Sequence, residues 1–299
     1  MKIGGYTIEV SNPDKVMFPE DGITKGDMVD YCRKVAKYMV PHLEGRPLTL
    51  QRYPGGIKTE GFFQKSASDY FPGWIRRAEM KKYGGTTNYV VCDKAATLVY
   101  LAGQSTVTHH TWLSRADRPE YPDLMVFDLD PSGASFEPVR KAAFTLRELL
   151  SGFGLAVFVK STGSRGLHVT VPLDRSADYD AVRAFAENVA RLMVSRDPEH
   201  LTVEQRINKR GDKVFIDTMR NSYSQTAVAP YTVRAKPGAP VAAPVEWDEI
   251  KNSSFLPQKY TVRNILQRLE KTGDPWKNIY REARSLKEAK KKLEKTPVS

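Results

Sequence analysis

Cysteine is scarce in this chain of 299 residues: Cys32 and Cys92 are the only two, too few and too far apart for a disulfide framework or the CxxC pairs of a zinc site. Long apolar runs are missing as well. No stretch approaches the ~18 uninterrupted apolar residues of a membrane span, and Met1 to Val10 lacks the charged, apolar and small segments of a secretory leader. There is no HExxH pair, no internal repeat and no low-complexity segment, and Ser161 to His168 lacks the GxxxxGK[ST] spacing of a P-loop. These absences exclude a stapled secreted scaffold, a membrane span and a P-loop nucleotidase. They lead us to expect a reducing, cytoplasmic setting and no membrane partner.

What the chain does have is charge of one sign. Its 46 Lys and Arg against 35 Asp and Glu give a net +11, which suits a polyanionic partner. The excess is uneven, because the stretch from Lys251 onward holds 13 basic and 5 acidic residues. Lys287, Lys290, Lys291, Lys292 and Lys295 surround Leu286, Ala289 and Leu293 at helical spacing, as on a solvated helix face. The expected division is a catalytic domain over 1–280 and a basic helical tail over 281–299.

Hydrophobic periods supply the landmarks. Thr24 followed by Met28, Tyr31, Cys32, Val35, Tyr38 and Met39 predicts a capped helix that stops near Pro41. Strands are expected at 47–53, 124–130, 155–160, 167–172 and 213–218, helices at 138–150, 179–194 and from Tyr260 onward, and a loop at 236–244. Strands and helices mixed in this way predict a sheet protein of the α/β or α+β class.

Asp128-Leu129-Asp130 closes the apolar run from Leu124. Side chains two apart on a strand share a face with Cα atoms ~6.6 Å apart, so both carboxylates can grip the same cations. Asp217 ends a second apolar strand, Val214-Phe215-Ile216. Three such acids make a hard oxygen donor set for Mg²⁺ or Mn²⁺, two ions of which can activate an attacking hydroxyl and neutralise a leaving pyrophosphate. Taken singly, each acid reads as a turn cap. The segment Ser161 to His168 offers N–H groups, hydroxyls, a guanidinium and an imidazole, a donor set for a triphosphate, although its spacing alone reads as a hairpin turn. His110 beside Trp112 reads as structural, Phe62-Phe63 as core or as a base-stacking pair, and Lys15 and Lys25 as solvated.

Together these strings are less generic. Asn-Pro-Asp-Lys-Val-Met-Phe-Pro from Asn12, Gly-Ile-Thr-Lys from Gly22, Gly-Phe-Phe-Gln-Lys from Gly61, Phe-Asp-Leu-Asp-Pro from Phe127, Gly-Leu-His-Val from Gly166, Thr-Ala-Val-Ala-Pro-Tyr from Thr226 and Gly-Asp-Pro-Trp from Gly273 resemble, in order, the polymerase domain of bacterial ligase D, a branch of the archaeo-eukaryotic primases. The resemblance implies an α+β fold: a primase-type catalytic sheet with an RRM-like half and surrounding helices. It implies a nucleotidyltransferase that extends or fills gaps at DNA ends in non-homologous end joining and favours ribonucleotides, although NTP and dNTP are both candidate substrates. Asp128, Asp130 and Asp217 match the acids that hold two Mn²⁺ or Mg²⁺ ions. Arg52, His110, Thr162, Arg165, His168, Arg220 and Arg234 match nucleotide-binding positions, Phe62 and Phe63 match template contacts, and Asn12, Lys15 and Lys25 match a pocket for the downstream 5′-phosphate. The loop departs from the family's Ser-Gly-x-Lys-Gly, reading Thr162-Gly163-Ser164-Arg165-Gly166. The start at Met1 and the lack of a ligase or nuclease segment lead us to expect a stand-alone protein beside a separate DNA ligase and a Ku-like end-binder.

Two other readings stay open. A DNA-end-binding protein without chemistry would keep the basic surface but has no use for three acids, which repel DNA. A haloacid-dehalogenase-type phosphatase would use Asp128 as nucleophile, yet needs Gly-Thr where Pro131-Ser132 stands.

Overall fold

A computed structural model describes residues 1–82, 84–133 and 135–297; the last two positions of the basic tail, 298 and 299, lie outside the described residues. The fold is α+β, as expected, and consists of two compact units, each drawn from three stretches of sequence. One takes 1–117, 226–243 and 260–274; the other takes 118–225, 244–259 and 275 onward. No described helix is long and apolar enough to cross a membrane.

The first unit is built on an antiparallel sheet in the order Thr226–Val228, Thr106–Trp112, Pro47–Arg52, Gly85–Val91, Arg77–Lys82, with Phe62–Gln64 also paired to Pro47–Arg52. Its long helix, Lys25–Leu43, starts where Thr24 and Asp27 exchange side-chain and backbone hydrogen bonds in a capping box. Met28, Tyr31, Cys32, Val35 and Met39 form its buried stripe. The helix runs past Pro41 instead of stopping there. Proline in the last turn removes one hydrogen-bond donor, and the end is still closed by the Glu44 N–H on the Val40 carbonyl at 3.0 Å. The 236–244 segment is irregular up to Ala243, as its composition predicts, and while Pro237 is exposed, 239–244 is buried. Ala239, Val241, Ala242 and Ala243 are fully buried, and the backbone is paired through Ala242 N–H to Thr232 O, Tyr231 N–H to Ala242 O and Val241 N–H to Tyr260 O. Alanines let this backbone enter the core.

The second unit centres on the sheet Leu201–Thr202, Val214–Asp217, Leu124–Pro131, Leu167–Pro172, Phe158–Ser161, Pro244–Val245, antiparallel except at its first pair. Met125, Phe127 and Leu129 lie on one face with Val171, Val169, Leu167 and Ile216, all fully buried. The Glu137–Gly152 and Tyr179–Arg196 helices pack on this sheet. The strand expected from Leu155 begins at Phe158 because Leu155 belongs to the preceding helix cap. Gly154 takes a positive φ of 87°, its N–H reaches Ser151 O, and the Leu155 N–H reaches Leu150 O, a Schellman ending. Past Tyr260 the chain forms the Ile265–Thr272 helix in the first unit and the Leu286–Glu294 helix in the second; the latter buries Leu286 and Ala289 and anchors Lys292 on the Gly152 carbonyl.

One polar side chain completes the central sheet. Where the Val214–Asp217 strand ends, Asn221 replaces it: its Oδ1 accepts from the Val126 N–H at 2.8 Å and its Nδ2 donates to the Val126 carbonyl at 2.7 Å. Asn221 is fully buried, so Asn221→Leu leaves two backbone groups unpaired, each worth about 1–3 kcal/mol. We expect this variant to lose roughly 2–5 kcal/mol in denaturant unfolding, and Asn221→Asp, whose buried carboxylate would face the Val126 and Thr218 carbonyls, to lose at least as much at neutral pH.

Candidate active site

The register of the second unit sets four ionisable side chains abreast. Asp128 is paired with Asp217 on one side and with His168 on the other, and His168 is paired with Lys160. Directly opposed residues of antiparallel strands share a face, so Asp217, Asp128, His168 and Lys160 form a row across four strands, with Asp130 two residues along from Asp128. His168 Nε2 lies 3.3 Å from Asp128 Oδ2, and Lys160 Nζ lies 3.0 Å from His168 Nδ1. The ammonium can only donate, so Nδ1 accepts and Nε2 carries the proton that faces Asp128. Arg220 Nε stands 3.7 Å from the same carboxylate oxygen.

Burial opposes ionisation of Asp128, but the His168 contact and the Arg220 and Lys160 charges outweigh it and hold the carboxyl below its usual range. His168 is pushed down to about 4, first by burial and then by the Lys160 ammonium, against the pull of Asp128. Asp130 is pushed up to about 6 by burial and by the Asp128 charge, and Asp217 is raised by burial against the Met219 N–H that its Oδ1 accepts at 2.7 Å. Among the described residues no three acidic, imidazole or thiol side chains converge closely enough to hold a metal ion as they stand. The donor set nonetheless suits a hard divalent cation. All three side chains are carboxylates on one face, the Asp128 charge raises Asp130 against the pull of Arg165, and Asp128 Oδ1 is buried without a hydrogen-bond partner.

The candidate nucleotide loop is the hairpin joining Phe158–Ser161 to Leu167–Pro172. Thr162 shapes it from within: its Oγ1 accepts from the Ser164 and Gly166 N–H groups, and its own N–H donates to Gly166 O at 3.1 Å. Gly163 needs its positive φ of 64°. Gly166 is required by a close approach, since a Cβ there would sit 2.1 Å from the Leu129 carbonyl oxygen. Arg165 is exposed at the tip, and its charge acts on Asp130.

The remaining candidates belong to the first unit. His110 is paired with Thr49 and Val228, and Phe63 meets its ring edge-on at 5.6 Å. Its neighbour His109 is a core residue, held by Thr232 Oγ1 and pushed down to about 4 by burial. Arg52 stands 5.5 Å over the Phe62 ring and donates to Gln104 O, Gln64 Oε1 and Tyr70 Oη. Arg234 closes a turn through its N–H on Pro240 O, and its charge acts on Tyr53. At the other end of this unit, Asn12 takes a positive φ of 49°, its carbonyl accepts from the Lys15 N–H, and the Lys15 carbonyl accepts from the Lys25 N–H. The fold-back brings the two lysines together: burial, then the Lys15 charge, lowers the pKa of Lys25, whose Nζ donates to Ser11 O at 2.7 Å.

Sequence reasoning missed Lys160 and Asn221. Lys160 was legible, because it and His168 are each four residues from Ser164 at the hairpin tip, which pairs them. Asn221 had no local signal, since its partner lies 95 positions away.

A profile of the primase-polymerase domain of LigD matches residues 24–276. The chain is 32% identical to the multifunctional non-homologous end joining protein LigD of Mycolicibacterium smegmatis over 89% of its own length and 35% of that protein. It is 32% identical to the bifunctional non-homologous end joining protein LigD of Bacillus subtilis, over 92% of its own length and 44% of that protein. It thus spans less than half of these curated relatives. Among solved structures it resembles the polymerase domain of Mycobacterium tuberculosis ligase D in complex with DNA, with a TM-score of 0.86 and 31% identity over 93% of this chain and 99% of that one.

The row predicts an imidazole that stays neutral until about pH 4 in the metal-free protein, with its proton on Nε2. Lys160→Met removes a positive neighbour, so His168 should take up its second proton at higher pH and lose its single tautomer. Imidazole ¹⁵N shifts followed against pH check both.

Proposed function

The chain belongs to the LigD primase-polymerase domain family, nucleotidyltransferases of the archaeo-eukaryotic primase superfamily, and from that premise we propose that it extends primers and fills gaps at DNA ends during non-homologous end joining. The observation that carries this reading is the row of Asp217, Asp128 and His168 beside Asp130, which sets carboxylates suited to a cation next to an imidazole suited to an anion on one strand register. Asp128, Asp130 and Asp217 are the residues that would hold two Mn²⁺ or Mg²⁺ ions. When bound, such ions supply Lewis-acid activation of the primer 3′-hydroxyl and neutralise charge on the leaving pyrophosphate.

The chain's own groups do the rest. His168, held neutral with its proton on Nε2, points that N–H at Asp128 in the ligand-free protein and is proposed to turn it to a phosphate oxygen of the nucleotide, without the desolvation cost of a buried cation. The 162–166 loop and Arg165 offer donors to the triphosphate, Arg220 lies beside Asp128 to share its charge, and Arg52, His110 and Arg234 are further proposed nucleotide contacts. Thr162 spends its hydroxyl on the loop's own backbone, so the preference for ribonucleotides over deoxyribonucleotides is assigned to the loop's shape. Phe62 and Phe63, 46% and 60% exposed, are proposed to stack on template bases. Asn12, Lys15 and Lys25 are proposed to hold the 5′-phosphate of the downstream strand. The N–H groups that open the Lys25–Leu43 helix are already bonded to Lys15 and Pro13 carbonyls, so the ammonium groups, near enough for the Lys15 charge to act on Lys25, supply the attraction. A Ku-like end-binder and a DNA ligase are the proposed partners, and the lysines of the Leu286–Glu294 helix are proposed to add general attraction to DNA.

Asp128→Ala should lower primer extension on gapped DNA with Mn²⁺ by at least about a hundredfold while DNA-end binding changes less than about twofold. Undiminished extension would remove the acids from the chemistry. Lys15→Ala, at an exposed position, should cost on the order of tenfold of the preference for gapped DNA carrying a 5′-phosphate over the same DNA lacking it, about 1.4 kcal/mol, with an unchanged rate on the unphosphorylated gap. Competition binding between the two DNAs measures it.

A further inference from the structure

Soluble proteins bury most large rings, so a cluster of exposed ones needs a reason. Three of the exposed large hydrophobic side chains fall within nine positions: Phe62, Phe63 and Tyr70, the last 62% exposed, more than either phenylalanine. Tyr70 is nonetheless fixed. It sits in a turn closed by the Phe71 N–H on Ser68 O at 3.0 Å, and its ring packs edge-on at 5.1 Å against Phe71, which is buried. Arg77 holds the same turn by donating to Ser68 O and Phe71 O. The hydroxyl accepts from Arg52 Nη1 at 3.1 Å.

The same Arg52 guanidinium lies over the Phe62 ring and bonds Gln64, whose amide donates to Ser66 O and Ser68 Oγ at 2.8 Å each. One arginine therefore braces the strand that carries Phe62 and Phe63 and the turn that carries Tyr70. Between 60 and 79 the exposed charges are Lys65, Arg76 and Arg77 against Glu60, Asp69 and Glu79, and Arg52 tips the balance to positive. A rigid, exposed ring on a cationic surface matches the way proteins hold unpaired bases: stacking on a π-face, which is tolerant of sequence, with phosphates attracted by nearby cations. An apolar protein partner would have no use for the charge.

We propose that Tyr70 is a third base-stacking position of this surface, for an unpaired base of the single-stranded overhang at a DNA end. The inference rests on the end-extending reading above and lengthens its template platform beyond Phe62 and Phe63. Tyr70 meets the base with its ring face, while its hydroxyl is spent on Arg52.

The test is anisotropy binding of duplexes with blunt ends or with single-stranded overhangs of one to six nucleotides, alongside primer extension by the parent protein. Tyr70→Ala should weaken overhang binding about tenfold and leave blunt-end binding and the slope of log affinity against log salt unchanged, because no phosphate contact is lost. Tyr70→Trp should restore or exceed parental affinity. Tyr70→Phe, which keeps the ring and loses the Arg52 bond, should stay within about threefold of it. If the parent extends primers and prefers overhangs while Tyr70→Ala binds them equally well, this inference is overturned and the polymerase reading stands. A Tyr70→Ala loss that is equal on blunt ends, or that flattens the salt slope, also overturns it, since the ring would then act through Arg52 on the duplex backbone. If the parent extends no primer, the polymerase reading falls, and this inference falls with it.

Discussion

The pairing of Asp128 with Asp217 on one side and His168 on the other is the constraint on which the candidate chemistry depends. Carboxylates do not choose each other; left alone they would separate. The pairing is imposed from the opposite face of the sheet, where Met125, Phe127 and Leu129 lie against Val171, Val169 and Leu167 in a fully buried layer. A slip of one residue would send those side chains to the polar face and the acids into the apolar one. Hydrophobic burial thus holds an electrostatic arrangement that has no stability of its own.

The same logic runs through both units with opposite sign. In one, burial and then the Asp128 charge push Asp130 up to about 6; in the other, burial and then the Lys15 charge push Lys25 down from its ordinary value. The acids are offset in part by His168, Arg220 and Lys160, and Lys25 by the Ser11 carbonyl. Natural proteins tolerate such locally unfavourable groupings where a ligand of the missing sign completes them. A cation in one case and a phosphate in the other are the ligands whose chemistry fits. Gly166 illustrates how little slack the arrangement has, since even a methyl group there meets the Leu129 carbonyl between the two acids of the central strand.

Much of this was legible in the sequence where the signal was local. The capping box at Thr24, the apolar run ending in Asp128-Leu129-Asp130 and the hairpin around Ser164 are each encoded within a few neighbouring residues, and the family strings lie in order along the chain. What escaped was non-local or depended on chain reversal. Pro41 reads as a stop, yet in a last turn it costs only one donor. Leu155 has the composition of a strand but is spent on the Schellman bond to Leu150. The 236–244 segment looks like surface loop, and only the pairing of its backbone with Tyr231, Thr232 and Tyr260 explains how it is buried. Tyr70 lies outside every family string quoted, and its importance emerges only from the arginine that holds it.

The three-stretch construction of each unit bears on how the molecule comes into being. The first unit needs 260–274, and the second needs the residues from 275 onward, where Trp276 donates to the Val159 carbonyl and Ile279 is fully buried. The first cannot be completed before residues 260–274 are made, nor the second before those from 275, so segments made early wait for partners separated from them by long loops. Closing such loops carries an entropic cost before any contact rewards it. The order of synthesis and the order of assembly are therefore uncoupled, and the strands made first keep unpaired edges until the stretches past residue 260 join them.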